Sequence, residues 1–333
     1  MDREITDTET VEERVLSLHT REATKDQEEA GNKCPTQSKK YTASIYSAPN
    51  ANLPPEFADA ISELEKNIDM RVFLLIQNVG KKFASLDDNL LPAFLEHLND
   101  FPCKKIALLI DSPGGFASDT YKIAAFFKNQ CSGYIAIVPR YAKSAATLLT
   151  LGADSILLGR HAELGPLDAQ YNDPERETYL SALDELQALE RLHVFALDAA
   201  DRTMLMLLAR TGKKLDTLLP ITLRFAADMV RPLFENIDVV HYTQMSRILR
   251  VAEEYAIRLL QNRYSEEIAR KIARHLVEEY PEHGFVIDMA EAAKIDTDLV
   301  TSLLEDQQSI VDRILKHLTQ LTAIGFLKEV SNE

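Results

Sequence analysis

Four short runs of aliphatic residues punctuate the chain between positions 70 and 160, at residues 72–76, 106–110, 135–138 and 155–158. Each is rich in Ile, Leu and Val without polar alternation, the pattern of strands buried on both faces. Between them the apolar positions shift to helical spacing. Leu91, Phe94, Leu95 and Leu98 make a one-sided stripe behind Asp87 and Asp88, either of which is suited to cap it. Ala124 and Phe127 belong to a second helical pattern, behind the turn Asp111-Ser112-Pro113-Gly114-Gly115. Strand and helix alternating through short connections predict an α/β core with a mainly parallel sheet and right-handed crossovers.

Beyond Gln170 the pattern turns helical. Met245, Ile248, Leu249, Ala252, Tyr255, Ala256 and Leu259 keep a 3.6-residue period over about four turns. Pro220, Pro232 and Pro281 are expected to separate helices from one another. A helix is predicted to open at Pro54-Pro55 and run through Glu65, because proline is tolerated where the first turn has no intrahelical use for its N–H. Residues 1–53 are polar and charged, with helical spacing only at 11–18, and are expected to form a mobile acidic tail. The reading is therefore three regions: tail 1–53, α/β core 54–170 carrying the site, and helical region 171–333 that completes the core and supplies oligomer contacts.

Charge narrows the partners. With 52 acidic against 37 basic side chains the chain carries −15, which repels phosphate backbones and anionic lipid, so nucleic acid is not an expected partner. No apolar run approaches the roughly 20 residues of a membrane span, and the first residues lack a signal-peptide pattern. Cys34, Cys103 and Cys131 are odd in number and without CxxC spacing, as suits a reducing compartment. A cytoplasmic protein with no membrane span is expected. No HExxH, phosphate-binding glycine loop or GxGxxG occurs, so neither metal nor cofactor is implied. His161, His193, His241 and His275 lack paired ligand spacing and are read as surface or helix residues.

Two segments suggest chemistry. The Ser112-Pro113-Gly114-Gly115 turn follows a predicted buried strand, so its N–H groups face the carboxyl edge of the sheet, where α/β proteins place ligands. Its adjacent glycines allow close approach to a substrate oxygen. Tyr141-Ala142-Lys143-Ser144-Ala145-Ala146-Thr147 again joins a strand to a helix, which places the Ser144 hydroxyl and the Ala145 N–H together. Taken singly, the first is a tight turn and the second an N-cap.

In order and spacing, SPGG, AKSAAT, LGADSILLG and AELGPLDAQ resemble the Clp protease proteolytic subunit, signal peptide peptidase A and, above all, the serine dehydrogenase proteinase family. With IDVVHYTQMSRILRVAEEYAIRLL and EEYPEHGFVIDMAEAAKI, the resemblance covers roughly residues 70 to 300. It implies a Clp protease/crotonase-like spiral core and a serine peptidase-like hydrolase that cleaves peptide or protein substrates as a homo-oligomer. Carried over, Ser144 is the nucleophile, the N–H groups of Gly115 and Ala145 form the oxyanion hole, and Gly114 and Pro166 contact substrate. The segment from Ala162 to Asp168 has no histidine where the Clp protease keeps its base. His283 stands where the Clp triad acid would, two residues before Phe285, and is one candidate base with Asp168 orienting it. A lysine, Lys143 or Lys213, is the other candidate, as in the signal peptide peptidase relatives. Two rival readings remain open: an inactive Clp-fold scaffold, and crotonase-like acyl-thioester chemistry with Glu163 as one carboxylate.

Overall fold

The computed structural model describes residues 39–173, 178–235 and 237–330. The chain divides between Lys39 and Lys40 into two units, and the fold below is that of the second. The predicted helical spacing at 11–18 and Cys34 lie outside the described residues.

In chain order the elements are β1 (Lys40–Ala43), β2 (Tyr46–Ala48), α1 (Pro55–Ile68), β3 (Val72–Ile76), α2 (Leu90–Glu96), β4 (Ile106–Asp111), α3 (Ala117–Gln130) and β5 (Tyr134–Val138). Then come β6 (Tyr141–Ala142), α4 (Ala145–Leu151), β7 (Ile156–Leu158), β8 (Glu163–Leu164), β9 (Gln170–Asp173) and β10 (Thr178–Ser181). Five helices follow: α5 (Ala182–Thr211), α6 (Leu215–Phe234), α7 (Val239–Leu260), α8 (Glu266–Glu278) and α9 (Met289–Ile295). The chain ends in β11 (Thr301–Ser302), α10 (Glu305–Leu315) and β12 (Thr322–Val330). Among the described residues no helix is long and apolar enough to cross a membrane.

The main sheet runs β1-β12-β3-β4-β5-β7-β11, with β2 also on β12. From β3 to β11 every pairing is parallel, while β12 is antiparallel to both β1 and β3. The fold is thus α/β with a mostly parallel sheet and a helical C-terminal region, as the hydrophobic pattern predicts. Period-two alternation is hidden in the aliphatic runs because both faces are covered. Phe73 and Leu75 of β3 enter one core, and Val72, Leu74 and Ile76 enter the other. On the first face the Phe73 ring meets Phe94, Phe101, Phe127 and Phe326 at centroid distances of 5.1–5.4 Å. The second face is closed by α1 and α10 through Phe57, Ile61, Ile310 and Ile314.

Four expectations are corrected. The sheet begins at Lys40, inside the segment read as tail, because β12 gives β1 and β2 a hydrogen-bonding edge. Pro220 and Pro232 lie within α6 rather than between helices. Each removes one N–H, but Leu218, Thr222, Ala226 and Val230, four residues apart, bury a continuous stripe that holds the helix together. Pro281 does follow the end of α8. In α2 the buried positions are Leu90 and Phe94, whereas Leu95 and Leu98 are exposed. Asp87 does not cap through the expected geometry: its carboxylate accepts the N–H of Asn89, the residue just before the helix.

Candidate active site

The turn after β4 is held from beneath by a buried polar chain. Ser112 Oγ donates to Gln77 Oε1 at 2.5 Å and accepts the Gly114 N–H at 3.1 Å, while Gln77 Nε2 donates to the Phe83 carbonyl. Both side chains are fully buried, where an unmade hydrogen bond is expensive, so this network sets the turn's conformation. The neighbouring Asp111, also fully buried, receives two bonds from the Arg140 guanidinium, at 3.0 and 2.6 Å. Burial pushes the Asp111 carboxyl upward from its ordinary value, and Arg140 opposes that shift.

Each glycine of the turn is required sterically. A Cβ on Gly114, whose φ is 106°, would lie 2.5 Å from the Lys143 carbonyl oxygen and 3.0 Å from Ser144 Cβ. One on Gly115 would collide with the backbone of Leu86. Leu86 clasps this turn by donating to Gly114 O and accepting from Phe116 N, both at 2.8 Å. Backbone bonds from Ser112 N to Tyr141 O and from Lys143 N to Ser112 O then fasten the turn to the segment leading into α4.

Ser144 is the N-cap residue of α4, with φ 51° and ψ −121°. A non-glycine residue at positive φ costs about 1–3 kcal/mol, a strain that recurs at functional sites. Its hydroxyl does not cap the helix. The Ala145 and Gly115 N–H groups also donate no hydrogen bond among the described residues. All three residues line one cleft of about 550 Å³.

His283 lines the same cleft. It comes from the loop after α8, which Leu164 and Ile287 pin to β8 by reciprocal backbone bonds of 2.9 and 3.1 Å. His283 Nδ1 lies 2.8 Å from Asp168 Oδ1. A carboxylate only accepts, so Nδ1 is the donor, the tautomer that in a neutral ring leaves the lone pair on Nε2. Asp168 is buried, 3% exposed, and its second oxygen accepts from Ser181 Oγ at 2.9 Å. Ser181 simultaneously caps α5 by accepting the Leu183 N–H at 3.1 Å. Neither Ser181 nor Gln77 was singled out from sequence. The only available signal was a serine ahead of a helical pattern.

The lysine alternatives are corrected. Lys143 Nζ, far from idle, pairs with Glu163 at 2.8 Å and donates to the carbonyls of Leu164 and Phe285 at 3.2 and 3.3 Å. With its three N–H groups used, it is a brace between the Ser144 turn and the His283 loop. Lys213 is exposed in the connection from α5 to α6 and does not line the cleft. Pro166 is buried, and Leu167 lines the cleft instead; Gly114 is buried beneath Ser144. Glu163 is occupied by Lys143, and among the described residues the cleft lining holds no carboxylate, so the carboxylate pair of crotonase-like chemistry is missing.

Residues 81–212 match the family of ClpP-like SDH-type serine proteinases. That stretch contains Gly115, Ser144, Asp168 and Ser181 and stops short of His283. Two uncharacterized proteins of Methanocaldococcus jannaschii are similar to the chain. One is 24% identical over 248 residues, 74% of this chain and 71% of its own length. The other is 22% identical over 254 residues, 73% and 71% respectively. Among solved structures, the ClpP protease catalytic domain from Plasmodium falciparum is 22% identical, with a TM-score of 0.24, over 32% of this chain and 57% of that one.

Proposed function

We propose, from a chain that matches the ClpP-like SDH-type serine proteinases over residues 81–212, that it is a serine peptidase-like hydrolase acting through an acyl-enzyme on Ser144. The observation that supports this most is a juxtaposition. An uncommitted, strained serine and a histidine oriented by a buried aspartate line one cleft, together with two undonated backbone N–H groups.

In this reading Ser144 Oγ attacks a peptide carbonyl carbon while His283 Nε2 removes its proton. Asp168 fixes the imidazole and stabilises the imidazolium that forms. The carbonyl oxygen becomes an oxyanion and accepts from the Gly115 and Ala145 N–H groups, each of which is worth about 2.7–4 kcal/mol in such a role. Collapse breaks the C–N bond, the leaving amine takes the proton from His283, and an ester remains on Ser144. Water deprotonated by His283 then attacks that ester, releasing the acid and restoring the serine. The exposed apolar side chains of α5 and α6, such as Leu205, Ile221 and Phe225, support a homo-oligomer as the working form.

The test is labelling of the full chain by a fluorophosphonate, read by intact mass. Wild type is expected to gain one adduct, Ser144→Ala none, and His283→Ala a strongly slowed one. Absence of any adduct on folded wild type would overturn the reading in favour of an inactive scaffold.

A further inference from the structure

Apart from the reacting groups the cleft lining is mostly apolar, with Ser85, Ser118, Gln170 and Arg247 as its polar members. Helix α7 contributes Arg247, Ile248, Val251 and Ala252 to its wall, positions that share one helical face. Leu148 and Leu167 add to the same apolar lining. Among the lining residues only Arg247 and His283 bear ionisable nitrogen, and His283 is committed to Asp168. Arg247 forms no hydrogen bond or ion pair with any described residue. Arg140, Arg258 and Arg270 each hold a carboxylate within 3.0 Å, whereas Arg210, Arg224 and Arg250 share with Arg247 a side chain bonded to no described residue; of these four only Arg247 lines the cleft. An arginine left unpaired in a chain of net charge −15, on the wall of a cleft without a carboxylate of its own, is an unmet recognition element. Arg247 is exposed, as are Ile248 and Val251 beside it, so its guanidinium is open to an incoming ligand, and its planar fork matches a carboxylate in a two-bond pairing.

We infer that Arg247 is a specificity-determining residue, and that the cleft takes peptides presenting a carboxylate beside an apolar side chain. This rests on reading the cleft as the substrate site. The apolar side chain is received by Leu148, Leu167, Ile248 and Val251, and the carboxylate pairs with Arg247. That carboxylate is either an Asp or Glu side chain or a free peptide C-terminus. Both offer the same chemistry to a guanidinium. Arg247 acts in binding and takes no part in proton transfer, so its influence belongs in Kd and KM rather than in kcat.

The experiment measures binding without turnover. Full-length Ser144→Ala protein is titrated against four leucine-rich peptides carrying an uncharged N-terminal dye, followed by fluorescence anisotropy. One has a free C-terminal carboxylate, one a C-terminal amide, one the amide plus an internal Glu, and one the amide plus an internal Lys. At least one carboxylate-bearing peptide is expected to bind about tenfold tighter than the neutral amide, with the advantage shrinking as salt rises. Adding Arg247→Gln should erase the advantage, and Arg247→Glu should transfer it to the Lys peptide. Circular dichroism of both double variants checks that α7 is intact. Which acidic peptide wins identifies the source of the carboxylate. Equal affinity for acidic and neutral peptides, no measurable binding of any, or an acidic preference that survives Arg247→Glu would overturn the assignment. The hydrolase reading stands or falls separately, on fluorophosphonate labelling of wild-type Ser144.

Discussion

The two sides of the cleft are built differently. The side holding Ser144 is one stretch of chain, from Asp111 to Leu148, cross-braced by backbone bonds between the glycine turn, Leu86 and the approach to α4. The side holding the histidine is gathered from three places, Asp168, Ser181 and His283, and is joined by side-chain bonds. Backbone bracing resists single substitutions because most bonds survive any side-chain change. A relay of three side chains has no such redundancy. Function should therefore be more fragile on the histidine side, while on the Ser144 side the vulnerable points are the buried side-chain supports, Ser112 with Gln77 and Asp111 with Arg140, whose loss is read in stability.

The largest effect is expected from Asp168→Asn. It permits the wrong imidazole tautomer, and fluorophosphonate labelling should slow by about 10³–10⁴-fold with the fold retained. Unchanged labelling would remove the histidine side from the mechanism. Arg140→Gln strikes the other side by leaving Asp111 buried without its cation, and urea denaturation should show a loss of about 3–5 kcal/mol at neutral pH. The pH dependence has a defined sign. The Asp111 carboxyl is already displaced upward by burial, so the folded state binds protons more readily than the unfolded chain there. Stability from this group declines as pH rises from the ordinary carboxylate range through the raised value, and the Arg140→Gln variant should regain stability on acidification. Gly115→Ala should cost roughly 1–3 kcal/mol, since the Leu86 backbone must move to admit the methyl group. The smallest effect is Ser181→Ala. Loss of the cap should cost about 1 kcal/mol, with labelling slowed more than that loss of stability implies. If Ser181→Ala lowers stability while labelling rate and its pH profile stay as in wild type, Ser181 is a cap alone and the contrast between the two sides weakens.

This asymmetry also explains what could be read in advance. The aliphatic runs at 72–76 and 106–110 are legible because strands covered on both faces exclude polar residues throughout. The places of Gly115 and Ser144 in two strand-to-helix connections are legible because a tight turn and a small-residue helix start follow one another along one segment. That His283 meets Asp168 is not legible, because sequence spacing says nothing of which loop β8 captures. The brace from Lys143 to Glu163 was invisible for the same reason. β12 was missed since its last residues, Lys328 and Glu329, are polar and exposed on leaving the sheet, which breaks the aliphatic signature. Pro220 and Pro232 misled because local propensity favours a break, while packing of α6 along its partner helix overrides it.

The placement of β12 has a temporal consequence. β1 and β3 flank it on either side, so the first strand of the sheet has no partner in the sheet until the last one arrives. On the ribosome, Ser144 and then His283 emerge well before residues 322–330 do. The centre of the sheet can pair early, but its β1 side stays open until residues 322–330 have been made. A nascent chain therefore holds Ser144 in a scaffold still missing an interior strand, and residues 322–330 are the stretch that closes it.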